Sequence, residues 1–330
     1  MKAWSVGEFG HFEGVMQWEE APKPPLANGS ALIRVTAVGL SFALMLRIAG
    51  KYQVRDTLPF VPGSDAVGEV VAAGPESTLR PGMRIMGRGL SGTLAEYALM
   101  DPTAVQPVPE GMSDVQAAAF LNAYQTSYVG LAFQGRLKAG EVLLVHGAAG
   151  GVGLAAIQIG KALGATVIAT AGSAEKIAAC LAQGADHAVN YEEVDFVEAV
   201  LELTGGHGAD VIYDPVGGDV FTKSRRCIAF DGRLVVVGFA SGQIPEIAAN
   251  RMLLRTFSVS GFTLHAYKKH RPDLLEKSEQ ALMDFYQEGK IAPVVSTVLP
   301  MSQLIEGLKM VEARKSIGKV VLVPDALPFG

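Results

Sequence analysis

Val142-Leu143-Leu144-Val145-His146-Gly147-Ala148-Ala149-Gly150-Gly151-Val152-Gly153 is the stretch that decides the fold. Its four leading apolar residues predict a strand buried on both faces, as in a parallel sheet. Gly147, Gly150, Gly151 and Gly153 predict a tight turn. Leu154 to Leu163 then reads as a helix that ends at Gly164. A strand, a glycine turn and a helix N-terminus in that order make a seat for a pyrophosphate. No Cβ blocks the approach of backbone N–H groups, and the helix dipole favours the anion. The spacing is GxxGxxG rather than GxGxxG, so context must carry the reading. The competing reading is an ordinary strand-to-helix turn.

Working outward, strands and helices alternate. Thr166–Thr170 reads as a strand, and Ser173 caps a helix running to about Leu181. His187–Asn190 is a strand and Asp195–Leu203 a helix. Val211–Asp214 is a strand, Val220–Ala229 a helix, and Arg233–Val237 a strand. Val259–Gly261 is a short last strand. This alternation predicts an α/β chain with a Rossmann-type doubly wound parallel sheet. Upstream, Ser113 caps a helix over Val115–Ala132. Ala31–Val38 and Ala66–Ala73 read as strands among turns at Leu58-Pro59, Val61-Pro62-Gly63 and Arg80-Pro81-Gly82. Pro272–Glu288 reads as a helix and Lys319–Val323 as a strand. The expected organisation is a nucleotide domain, residues 123–264, inserted into a β-rich domain of residues 1–122 and 265–330. Their cleft is the natural active site.

Composition narrows the function. The chain has 330 residues, 49% of them hydrophobic, which suits two globular domains. A net charge of −5 argues against a nucleic-acid surface. The one dense basic cluster, Lys268-Lys269-His270-Arg271, reads as a solvated loop. Cys180 and Cys227 have no paired spacing, so no disulfide framework is expected, which fits a cytoplasmic location. The N-terminus shows no signal peptide, and no stretch reads as a membrane span.

The second strand of the nucleotide unit indicates which cofactor is held. An NAD site carries Asp or Glu there to hold the ribose hydroxyls. Here the strand runs into Ala171-Gly172-Ser173 with no acid. Ser173 can donate a hydrogen bond, Lys176 supplies a cation one turn on, and Tyr191 adds a hydroxyl. One or two charge-assisted bonds of about 1.5–3 kcal/mol each favour NADP(H) by roughly 10- to 1,000-fold. The bland reading leaves Ser173 a cap and Lys176 a surface cation.

These residues resemble a family. Phe60-Val61-Pro62-Gly63-Ser64-Asp65, His146 to Gly153, Val189-Asn190-Tyr191, Tyr213-Asp214-Pro215-Val216-Gly217-Gly218, Gly238-Phe239-Ala240-Ser241-Gly242 and Gly318-Lys319-Val320-Val321 are similar to the zinc-independent quinone oxidoreductases, zeta-crystallin among them, of the medium-chain dehydrogenase/reductase superfamily. The resemblance implies a GroES-like catalytic domain around the Rossmann unit. It implies pyrophosphate binding at Gly150, Gly151, Val152 and Gly153, and 2′-phosphate binding by Ser173, Lys176 and Tyr191. The nicotinamide would lie near Thr126, Gly238 and Phe239, and Lys319 would lie near the cofactor. It also implies a homodimer paired through an edge strand, for which Val259-Ser260 is a candidate. Zinc-dependent members carry Gly-His-Glu where this chain has Gly63-Ser64-Asp65, so no metal is expected. The chain departs from its relatives at Ser41-Phe42-Ala43-Leu44, where they have Asn-Phe-Ala-Asp, and at Ala123, where they have threonine.

Without a metal to polarise a plain ketone, conjugated acceptors are the easier substrates, because they spread the developing charge. Quinones, enones and enoyl thioesters fit this demand. Tyr52 is the candidate proton donor, by its match to a tyrosine of related enoyl reductases, or it simply packs. Ser41 and Asn122 can orient a carbonyl. Three readings stay open. They are an NADPH-dependent quinone or enone reductase, an enoyl-CoA (acryloyl-CoA-like) reductase, and a catalytically weak NADPH-binding structural or regulatory protein.

Overall fold

The computed structural model describes residues 1–26, 29–52, 54–75, 77–90 and 92–325. The chain forms two compact units, Met1–Leu121 with Pro293–Gly330, and Asn122–Ala292.

The first unit opens with β1 (Lys2–Val6), α1 (Phe12–Val15), β2 (Met16–Glu20), β3 (Ala31–Gly39) and α2 (Phe42–Ile48). It continues with β4 (Asp65–Ala73), β5 (Arg84–Gly89) and β6 (Tyr97–Pro107). Strands β3 to β6 pair antiparallel in sequence order, and β6 also returns to β3, with Ala31 opposite Met100. The ring therefore closes and removes an edge. Alternate residues of β3, among them Ile33 and Val35, are fully buried, as a strand with one packed face requires. The C-terminal strands of this unit are β13 (Val295–Pro300) and β14 (Lys319–Val323), separated by α11 (Leu304–Glu312). They extend the sheet, with Val321 opposite Gly39. Trp4 donates its indole N–H to the Met301 carbonyl at 2.7 Å, tying the two ends of the sequence together.

The second unit follows α3 (Asp114–Tyr128), which runs across the boundary. Ser113 and Gln116 form a reciprocal capping box at its start. The Gln116 N–H reaches Ser113 Oγ at 3.2 Å and the Ser113 N–H reaches Gln116 Oε1 at 3.0 Å. The elements after it are β7 (Val142–Val145), α4 (Gly151–Ala162), β8 (Thr166–Ala171), α5 (Ala174–Ala182), β9 (His187–Asn190), α6 (Phe196–Leu203), β10 (Ala209–Asp214), α7 (Gly218–Ser224), β11 (Ile228–Val236), α8 (Ala249–Arg255), β12 (Phe257–Gly261), α9 (Leu264–His270) and α10 (Pro272–Gln287). The strand order is β12-β11-β10-β7-β8-β9, all parallel. The order reverses between β7 and β10, where ligands of doubly wound sheets bind beyond the carboxyl ends. Leu144, Ile168 and Ile212 lie side by side in register and are fully buried. Each contributes about 1.5–3 kcal/mol.

Several expectations are corrected. The helix expected over Val220–Ala229 ends at Ser224. The Cys227 N–H closes a turn on the Ser224 carbonyl, and Ile228 then pairs with Ala209 in the sheet, so strand register overrides helical pattern. The basic cluster at Lys268 is the last turn of α9 rather than a loop, where cations suit the helix dipole. The second domain boundary falls after Ala292, not after residue 264. Helices α9 and α10 belong to the nucleotide unit because Tyr267 stacks on Phe133, Phe285 meets Tyr128, and Gln125 bonds Glu279 at 2.9 Å. The last residue of this unit is pinned as well. The Ala292 N–H donates to Gln158 Oε1 and the Gln158 Nε2 donates to the Ala292 carbonyl, both at 2.9 Å. Tyr124 Oη lies 3.0 Å from the same carbonyl. Among the described residues no helix is long and apolar enough to cross a membrane.

Candidate cofactor-binding and active site

The glycine turn of the second unit is built for close approach. Gly147 has φ +55°, and Gly150 caps α4 in an extended conformation with no side-chain cap. The first N–H groups of α4, on Gly151, Val152 and Gly153, therefore lack an intrahelical acceptor and suit an anion. A Cβ on Gly153 would collide with the carbonyl oxygens of Gly147 and Ala148, so only glycine lets the helix start against its own turn. Ser127 on α3 steadies this start. Its Oγ donates to the Val152 carbonyl at 2.8 Å and receives the buried Tyr213 hydroxyl at 3.0 Å.

His146, at the end of β7, sits 2.9 Å from Thr170 Oγ1 and 2.8 Å from Ser224 Oγ. Ser224 Oγ gives its own proton to the Val220 carbonyl. His146 therefore donates from Nε2 to Ser224 and accepts at Nδ1 from Thr170. Burial pushes its pKa down to about 3, so the ring is neutral.

At the end of β8 no carboxylate follows Ala171. Ser173 caps α5, accepting the Lys176 N–H at 3.3 Å, as the sequence suggested. Tyr191 is 45% exposed. A Cβ on Gly172 would stand 2.6 Å from its hydroxyl, so Tyr191 lies across Gly172. The one acid close in sequence, Glu175, occupies the first turn of α5.

The loop after β11 is held to the loop after β10. The N–H groups of Ala240 and Ser241 donate to the carbonyls of Pro215 and Val216, each at 3.0 Å. Gly238 and Phe239 lie in this strap, and Phe239 packs where a side chain on Gly217 would be. Asp214 fixes the underlying turn, with Oδ1 accepting from Val216 N–H at 2.8 Å and Gly217 N–H at 3.0 Å. Its Oδ2 is buried with no hydrogen-bond partner, and burial raises its pKa. On α3, Thr126 Oγ1 stands 3.4 Å from Asn122 Oδ1, one helical turn away. Asp214, His146 and Ser127 were missed as functional supports. The Asp-Pro-Val-Gly-Gly run was the available signal for the first.

The remaining candidates belong to the first unit. Ser41 is the N-cap of α2 but makes no side-chain cap bond. Lys319 Nζ donates to the Leu40 carbonyl at 2.6 Å and so braces the backbone beside Ser41. Burial lowers its pKa to about 8, and the charge of Asp65 works the other way. Tyr52 is half-buried beyond the end of α2. A pocket of about 380 Å³ in this unit is lined by Arg47, Asp56, Phe60, Ser64, Arg88 and Leu90, among others. Ser64 Oγ donates to Asp65 Oδ2 at 3.1 Å. A serine and one aspartate are not a zinc donor set. Among the described residues no three His, Cys, Asp or Glu side chains gather. A zinc site does not fit these residues, whereas the glycine cradle fits a dinucleotide.

Comparison with known proteins agrees with this geometry. Residues 27–110 match the alcohol dehydrogenase GroES-like domain, and residues 151–280 match the family described as zinc-binding dehydrogenase. The chain is 39% identical over 301 residues to the quinone oxidoreductase-like protein 2 homolog of Nematostella vectensis, covering 90% of this chain and 82% of that one. The Escherichia coli quinone oxidoreductase, solved complexed with NADPH, superposes with a TM-score of 0.91 at 28% identity, over 98% of this chain and 100% of the other. A mycobacterial protein solved with NADPH gives 0.91 at 31% identity, with the same coverage.

Proposed function

The chain belongs to the quinone oxidoreductase family of the medium-chain dehydrogenase/reductase superfamily, and we propose that it is an NADPH-dependent reductase of quinones or α,β-unsaturated carbonyl compounds. The observation that carries this reading is the second-strand terminus. Where an NAD site places an acid, this chain has Gly172 and Ser173, with the Tyr191 hydroxyl laid across Gly172. Ser173, Lys176 and Tyr191 hold the 2′-phosphate, and the N–H groups of Gly151, Val152 and Gly153 hold the pyrophosphate. Thr126, Gly238 and Phe239 border the nicotinamide. Bound there, NADPH supplies a hydride.

The chain's own groups manage the acceptor. Charge develops on its oxygen as it is reduced, and that oxygen needs a donor. Tyr52 Oη supplies the hydrogen bond or proton, and Ser41 and Asn122 orient the carbonyl. Ser41 is suited because its hydroxyl is not spent on capping α2. The protein works in the cytoplasm as a homodimer. The edge strand β12 supports pairing of two copies, as do the exposed Phe230 (78%), Leu253 (77%) and Leu254 (72%) near it in sequence.

The test is consumption of NADPH, followed by absorbance, with a panel of quinones, enones and enoyl thioesters. Turnover with NADPH well above NADH supports the reading. Tight NADPH binding with no turnover on any acceptor replaces it with that of a dinucleotide-binding regulatory protein.

A further inference from the structure

The charged groups on and beside the pocket of the first unit do not balance. Arg47 and Asp56 form a two-pronged pair, Nε to Oδ2 at 3.0 Å and Nη2 to Oδ1 at 2.5 Å, with both side chains largely buried. Asp65, next to the lining residue Ser64, accepts the Ser64 hydroxyl and shares its field with the Lys319 ammonium. Arg88 stands directly across from Asp65 in the β4–β5 register, yet the two side chains form no ion pair. Arg88 has no hydrogen-bond or ion-pair partner among the described residues. Of the charged side chains that line the pocket, Arg47 and Asp56 neutralise each other, and the surplus positive charge is Arg88, on the pocket wall.

We propose that this pocket receives the carboxylate of an anionic conjugated acceptor, and that Arg88 is the residue that selects it. The inference rests on the reductase reading above and narrows its substrate class. A guanidinium fork matches a carboxylate in two parallel hydrogen bonds. A concave wall concentrates the field of a lone charge that flat surface would leave screened. Phe60, Val61 and Leu90 line the same pocket and offer apolar contact to the carbon skeleton. Arg47 does not compete for the ligand, because its fork is already filled by Asp56. The Ser64 hydroxyl is likewise committed to Asp65.

The test uses one enone in two forms, 4-oxopent-2-enoate and its methyl ester. Their dissociation constants are measured by calorimetry on the full chain loaded with NADP⁺, so that no turnover occurs. Wild type should bind the acid several-fold more tightly than the ester, with the difference shrinking as salt rises. Arg88→Gln should abolish the preference and Arg88→Glu should reverse it, with ester affinity unchanged in both. Arg88 is exposed, so both variants should fold, and NADPH affinity serves as the control. Equal binding of acid and ester by wild type overturns the inference, as does a preference that survives Arg88→Gln. The activity reading fails separately. If no acceptor consumes NADPH while the Arg88-dependent preference holds, the pocket inference stands and the reductase reading falls.

Discussion

Lowering the pH should unfold this protein through one residue before its carboxylates titrate. His146 is buried, neutral, and held between Thr170 and Ser224, with its pKa pushed down to about 3. An unfolded histidine titrates near 6.5. The folded value is the lower one, so the unfolded chain binds the proton more readily. Stability is therefore whole above about pH 6.5 and falls as pH drops toward 3. At pH 5 the linkage amounts to about 2 kcal/mol, and the full loss approaches about 5 kcal/mol. For a unit of this size, about 2 kcal/mol is about 4–8 °C in Tm. The other five histidines are exposed. The assay is Tm by scanning calorimetry at half-unit steps from pH 8 to pH 5, on wild type and His146→Asn. The variant should melt lower at pH 8, because a bridging hydrogen bond is lost, but its Tm should not fall on going down to pH 5.5. A wild-type Tm that does not fall over this range refutes the reasoning, as does an equal fall in the variant.

Four more outcomes follow from the site. Gly153→Ala forces a methyl against the Gly147 and Ala148 carbonyls; it should cost about 1–3 kcal/mol in thermal stability, and calorimetry should record at least tenfold weaker NADPH binding. Ser173→Asp places a carboxylate at the end of β8 and removes a donor; the NADPH-over-NADH ratio of kcat/KM should fall by about 10- to 100-fold, the equivalent of about 1.5–3 kcal/mol. Tyr52→Phe should lower kcat by about 100-fold with KM for NADPH unchanged, within the range for loss of a general acid; unaltered turnover on every acceptor removes that role. Burial raises the Asp214 pKa, so its contribution is present at low pH and is lost as pH rises past the ordinary carboxylate range. Asp214→Asn keeps the Oδ1 acceptor without the charge and should melt above wild type at pH 8, whereas Asp214→Ala, which strands two N–H groups, should melt below it.

The nucleotide unit was legible because its signals are local. β7, β8, β9, α5 and α6 lie where the apolar runs and the Ser173 cap put them, each within a residue or two. The failures have a common cause in long-range packing. Helix α8 buries no residue, so it leaves no periodic apolar face to read. The end of α7 is set by Ile228 joining β10, a pairing between residues 19 positions apart in sequence. The β-rich ring of the first unit is closed by contacts such as Ala31 with Met100, which no local window contains. At the site, glycine spacing announced the cradle. The brace on Ser41 comes from Lys319, 279 positions from the Leu40 carbonyl it holds, and was invisible. Charge surplus at Arg88 emerges only when the partners of its neighbours are known.

The clasp formed by Tyr124, Gln158 and Ala292 has a topological consequence. It brings the first and last turns of the nucleotide unit to one point, so the polypeptide departs from the β-rich unit and returns to it through a single gate. To the β-rich unit, all of residues 122–292 amount to a short hairpin, and the entropy of closing so long an excursion is met inside the excursion itself.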